Sequence, residues 1–180
     1  NGEVTGDIAA AVTAAAQQTS IPHCVLDGVA QIEGAYTATS CTPNECGALG
    51  PFAITIGYTF SEQNGQCSKD TACNQCAAGS CPNALGETFS GTGLTEADLC
   101  NAETAAVAAA QMLKGKASFF GHDLTGTDSD VGNITTAIIA AGNAYFGSNH
   151  VFESGSNIEP GCSYGESIVR KYCGYTAYTC

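Results

Sequence analysis

Apolar positions along the chain fall into five helix-length stripes, separated by stretches rich in Gly, Thr and Ser. The sharpest stripe spans residues 21–34, where Ile21, Val25, Val29 and Ile32 repeat at three- and four-residue steps and Leu26 and Ala30 widen the face. Ser20 is placed as the N-cap of this helix, Pro22 in its first turn, where a missing N–H costs nothing, and Gly34 as its stop. A preceding helix is predicted over residues 5–18, with Ile8, Val12 and Ala15 or Ala16 on one face and Asp7 near its positive end. The longest helix opens at Thr95, with Asp98 completing a capping box, carries Leu99, Ala102, Ala106, Val107, Ala110 and Leu113 inward, and stops at Lys114-Gly115. Two more helices are predicted over residues 135–145 and 163–173, the last opened by Ser163 with Glu166 and closed by Gly174. Phe52, Ile54 and Ile56 instead alternate as in a strand, behind Gly47, Gly50 and Pro51, which suit tight turns. The pattern predicts a mainly α domain with a small irregular or β segment after the second helix, a single unit over residues 1–180.

The chemistry of interest lies at the end of the second helix. Glu33 sits four residues after Val29 and seven after Leu26, at the edge of the apolar stripe. Partial desolvation there disfavours the charged carboxylate and raises its pKa, as a general acid requires. The plainer alternative is a solvated Glu at a helix end.

Composition narrows the setting. Seventeen acidic residues face five basic ones, a net charge of −12. That balance excludes nucleic acid and anionic membrane surfaces, both of which need basic patches. No apolar run approaches the roughly 18 residues of a membrane span. Eleven cysteines, in a chain beginning at Asn1, predict a processed, secreted, disulfide-bonded protein with one cysteine left over for another partner or chain. Residues 61–93 form a cysteine-rich loop, and Cys73-Asn74-Gln75-Cys76 has zinc-like spacing. In an oxidising compartment disulfides take precedence, and neither metal nor other cofactor is expected. Asn133-Ile134-Thr135 is an N-glycosylation sequon, which predicts a glycoprotein if the source glycosylates its secreted proteins.

Four stretches, in order, resemble the lysozyme-like superfamily, nearest to soluble lytic transglycosylases and goose-type lysozymes. Residues 14–34 resemble the helix that ends in the catalytic Glu, here Glu33-Gly34. Gly47-Ala48-Leu49-Gly50-Pro51-Phe52-Ala53-Ile54 resembles the family's Gly-x-x-Gly-(Leu/Pro)-(Met/Phe)-Gln-(Ile/Val) segment. Residues 98–113, with Asn101, resemble the helix beginning Asp-x-x-x-Asn. Ala140-Ala141-Gly142-Asn143-Ala144-Tyr145-Phe146-Gly147 resembles the late Ala-Tyr-Asn-x-Gly helix end. The likeness covers residues 14–147, and residues 148–180 form an extension without a family counterpart. Ala53 stands where the family has Gln, and Gly142 where it has a Tyr beside the catalytic Glu; Tyr145 and Tyr58 are the candidates to replace that Tyr.

The resemblance implies cleavage of β-1,4 bonds in peptidoglycan or a chitin-like aminosugar polymer, with Glu33 as acid and then base. It implies saccharide contacts along Gly50, Phe52, Ala53 and Ile54, through backbone groups, and at Tyr58, Asn143 and Tyr145. Hydrolysis in the goose-type manner would add a second carboxylate to position water; Glu45, Glu62 and Asp70 are the candidates by position. The alternative, favoured by Ala53, Gly142, the low charge fraction and the odd cysteine, is an inactive extracellular structural subunit that self-associates or joins another chain by a disulfide.

Overall fold

A computed structural model of the chain describes residues 2–42, 48–54, 94–155 and 157–180. The order is strand β1 (Gly2–Glu3), helix α1 (Ile8–Thr19), helix α2 (His23–Ile32), a 3-10 turn (Ala35–Thr37), strand β2 (Ser40–Cys41), helices α3 (Glu96–Cys100), α4 (Ala102–Phe119), α5 (Thr135–Phe146) and α6 (Tyr164–Ser167), the last continuing as a π-helical turn (Ile168–Tyr172). The protein is mainly helical, with a two-stranded antiparallel sheet pairing Gly2 with Cys41 and Glu3 with Ser40. Helix α4 is the central rod. Its Ala105, Ala106, Ala109, Ala110 and Leu113 are buried, and the small alanine side chains let α1 and α5 pack closely against it.

Helix α1 starts at Ile8 rather than at the predicted Thr5, because Asp7 is its N-cap and accepts from the Ala10 N–H (3.0 Å). Ser20 is not the N-cap of α2; it is the left-handed C-cap of α1 (φ 58°). Pro22 takes the N-cap position instead, and it brings no capping side chain. The missing acceptor arrives from far along the chain: Asp128 Oδ1 accepts from the Cys24 N–H (2.9 Å).

The longest predicted helix is two helices. The capping box of Thr95 and Asp98 is present. The chain then turns extended at Asn101 (φ −90°, ψ 126°), because Thr5 donates to the Cys100 carbonyl and accepts from the Ala102 N–H. Asn101 restarts the helix by accepting from the N–H groups of Glu103 and Thr104. Lys114-Gly115 does not end it. Burial of Lys116 and Ala117 carries α4 on to Phe119.

The predicted strand through Phe52 and Ile54 is instead a tight turn, with Ile56 outside the described residues. Leu49 and Ile54 bridge in antiparallel fashion (N–H to O distances 2.8 and 3.0 Å) around residues 50–53. Gly50 has φ +78°, and a Cβ there would lie 2.0 Å from the Leu99 carbonyl oxygen, so only glycine fits. Ala53 is also left-handed (φ 52°), a conformation costing about 1 kcal/mol or more for a residue with a Cβ.

Three disulfides join described cysteines: Cys24–Cys173, Cys41–Cys100 and Cys162–Cys180. The remaining five of the eleven cysteines, Cys46, Cys67, Cys73, Cys76 and Cys81, lie outside the described residues, so the odd one is among them. Among the described residues no helix is long and apolar enough to cross a membrane, and no cluster of three or more His, Cys, Asp or Glu is placed to hold a metal.

Candidate active site around Glu33

Helix α2 ends in Glu33 (φ −78°, ψ −5°), whose N–H still donates to the Val29 carbonyl (2.9 Å). Gly34 then turns left-handed (φ 74°) and takes the chain away. Glu33 is only partly exposed, with Val29, Ala30 and Ala35 buried around it. Burial pushes its carboxyl from the ordinary 4.5 up to about 7, against a smaller opposing effect of a hydrogen bond from Tyr164. Its seat at the negative end of α2 works in the same direction as burial.

Tyr164 is the partner that matters. Its hydroxyl donates to Glu33 Oε1 (2.8 Å), and its ring is buried. The position of Tyr164 follows from two glycines. A Cβ on Gly142 would lie 2.7 Å from the Gly165 Cα, and a Cβ on Gly165 would lie 2.3 Å from the Ile139 carbonyl oxygen. Helices α5 and α6 therefore touch backbone to backbone, and Asn143 Oδ1 locks the contact by accepting from the Gly165 N–H (2.8 Å). The missing side chain at Gly142 is what lets the tyrosine next to Gly165 reach the acid. The capping box of Ser163 and Glu166 orients the same turn.

Behind Tyr164 lies Tyr145, its ring stacked at 6.2 Å between centroids. The Tyr145 hydroxyl donates to the Phe52 carbonyl (2.5 Å), which ties the residue 50–53 turn to the site. Both tyrosines are held well above their ordinary pKa, by burial first and then by the charge on Glu33, so both stay proton donors. On the outer side, Phe146 stacks on Tyr164 (5.6 Å), Phe152 meets Phe146 edge-on (5.4 Å), and His150 meets Phe152 edge-on (4.7 Å).

The fold thus gathers Glu33, Tyr145, Asn143 and the Phe52 backbone, but not in the roles expected of all of them. Asn143 and Tyr145 are buried, with Asn143 Oδ1 committed to Gly165 and the Tyr145 hydroxyl to Phe52, so these groups brace the site rather than line a groove. The Phe52 and Ile54 side chains are fully enclosed in the core. Gly50 is pressed against Leu99, and Ala53 is half-buried. Asn133 is exposed at the turn before α5, remote in sequence from these groups. Tyr58, Glu45, Glu62 and Asp70 lie outside the described residues. Sequence reasoning passed over Tyr164. The only local signal was its place just after a capping serine and just before a glycine.

A carboxyl that is half-protonated near neutral pH, beside a fixed phenol donor, can give a proton and take one back. The chain matches no protein-family model, and neither a curated protein nor a solved structure is significantly similar to it.

Proposed function

We propose that the protein is an extracellular glycosidase or lytic transglycosylase that cleaves β-1,4 bonds of an aminosugar polymer, with Glu33 as general acid and then general base. The observation that carries this reading is the Glu33 carboxyl, raised to about 7 and held by Tyr164 at the end of a disulfide-anchored helix. In its acid form Glu33 gives a proton to the bridging oxygen as the bond from that oxygen to the anomeric carbon breaks. The resulting carboxylate then takes the proton from the hydroxyl that bonds to the anomeric carbon. That hydroxyl belongs to the sugar itself in transglycosylation and to water in hydrolysis. Among the described residues no other carboxylate contributes to the shift at Glu33.

Tyr164 supplies the phenol that Gly142 lacks, which supports an active enzyme over an inactive subunit. Three disulfides fit the oxidising setting in which such polymers are met.

Glu33→Gln keeps the shape of the side chain but removes the proton. The variant is expected to lose at least about a hundredfold in release of soluble fragments from cell-wall or chitin suspensions while its circular dichroism stays unchanged. Clearing at the wild-type rate by the variant rejects the assignment. Fragments lighter by one water identify transglycosylation.

A further inference from the structure

At the other end of α2 from Glu33 the chain leaves a groove of about 600 Å³. The ten residues of α2, about 15 Å of helical rise, separate the two places. The volume falls within the range of about 300 to 1,000 Å³ in which small molecules are held. Ala16 and Ile21, both buried, give the groove an apolar floor. Gln17, His23, Thr125 and Asp128, all exposed, form its walls.

Those walls are set before anything enters. Gly126 donates its N–H to the Ser20 carbonyl (2.9 Å), which ties the 125–128 segment to the end of α1. The Thr125 N–H donates to Asp123 Oδ1 (2.8 Å), and Thr127 is held in a capping box with Asp130. A ligand therefore meets a formed groove and gives up little affinity to the ordering of a loop.

Charge selects the ligand. The N-terminus of a helix attracts anions, but at α2 that role is already filled, because Asp128 Oδ1 accepts from the Cys24 N–H (2.9 Å). A helix end carries only about half a unit of positive charge, so the carboxylate remains negative beside it. Among the described residues nothing else bonds that carboxylate. No Lys or Arg lines the groove. Lys114 is taken up by the Thr19 carbonyl (2.7 Å) and is not part of the lining. The chain's net charge of −12 adds attraction for a cation and repulsion for an anion.

We infer that this groove binds a small organic cation, a primary ammonium on an apolar body, with the body against Ala16 and Ile21 and the ammonium on Asp128. The site is separate from Glu33 and does not depend on the glycosidase reading.

The test is calorimetric titration of the whole protein with phenethylamine. Phenethyl alcohol and phenylacetate, which carry a hydroxyl or a carboxylate in place of the ammonium, are titrated beside it. The amine is expected to bind, the alcohol at least about tenfold more weakly, and the carboxylate not at all. Asp128→Asn keeps an oxygen to cap α2 and removes the charge. It is expected to weaken amine binding about tenfold and to leave the alcohol unchanged. Gln17→Lys, at an exposed helical position, puts a competing cation on the wall and is expected to weaken the amine similarly. Glu103→Gln removes an exposed acid at the start of α4 and leaves binding as it was, which separates the groove from the general field of the protein. No amine binding, equal binding of amine and alcohol, amine affinity unaltered by Asp128→Asn or Gln17→Lys, or an equal loss with Glu103→Gln overturns the inference.

Discussion

Two buried ionisable groups, Glu33 and Lys116, show how alike in energy and unlike in meaning such groups can be. Burial drives both toward neutrality: the carboxyl rises to about 7, and the amine falls from 10.5 to about 7. Beyond that they differ. Glu33 keeps some exposure and has Tyr164 on one oxygen. Lys116 is fully buried in α4, and its Nζ has no hydrogen-bond partner among the described residues. A perturbed pKa is therefore no mark of chemistry on its own; access and a fixed partner separate the acid that can work from the cation that only costs stability.

The largest expected effect follows from the cation. The stability that neutral Lys116 allows is full above pH 10.5 and is lost as pH falls through about 7, where charging the buried amine opposes folding. Lys116→Met is expected to stabilise the protein by about 4 kcal/mol at neutral pH, and the gain should shrink toward pH 10.5, as read by urea denaturation. A gain that does not vary with pH would mean that the amine is not charged against burial.

Glu33 behaves in the opposite sense. Its contribution is full below pH 4.5 and gone above about 7, because the folded state holds the proton longer than the unfolded chain does. Glu33→Gln should add about 3 kcal/mol at pH 8 and almost nothing below pH 4.5. Wild-type stability thus has a minimum near pH 7, which the double variant fills.

The smallest effect belongs to Tyr164. Its hydrogen bond lowers the Glu33 pKa, so Tyr164→Phe should move the basic limb of the pH–rate profile upward and leave the fold intact. A limb that stays put would mean that burial alone tunes the acid.

Local rules made much of this legible. The stripe through Val25 and Val29, the left-handed Gly34 and the capping boxes at Thr95 and Ser163 are each decided within a few residues, and each stands where the pattern put it. The misses share one physical origin, partners that arrive from far along the chain. Asn101 breaks a helix because Thr5 pairs beside it. The α2 N-terminus is capped by Asp128, 104 positions away. Lys114-Gly115 reads as a stop, yet burial overrides it. The same holds for the site: the raised acid could be read from the edge of one stripe, whereas its phenol partner depends on a Gly–Gly contact that no periodicity signals.

The Tyr164–Glu33 bond closes over 131 positions. During synthesis from the N-terminus, helix α2 leaves the ribosome long before the segment that shields its final carboxyl. Until that segment docks, the acid lacks its phenol partner. Competence for the proposed reaction would therefore be a property of the finished tertiary structure, acquired in the last stages of maturation.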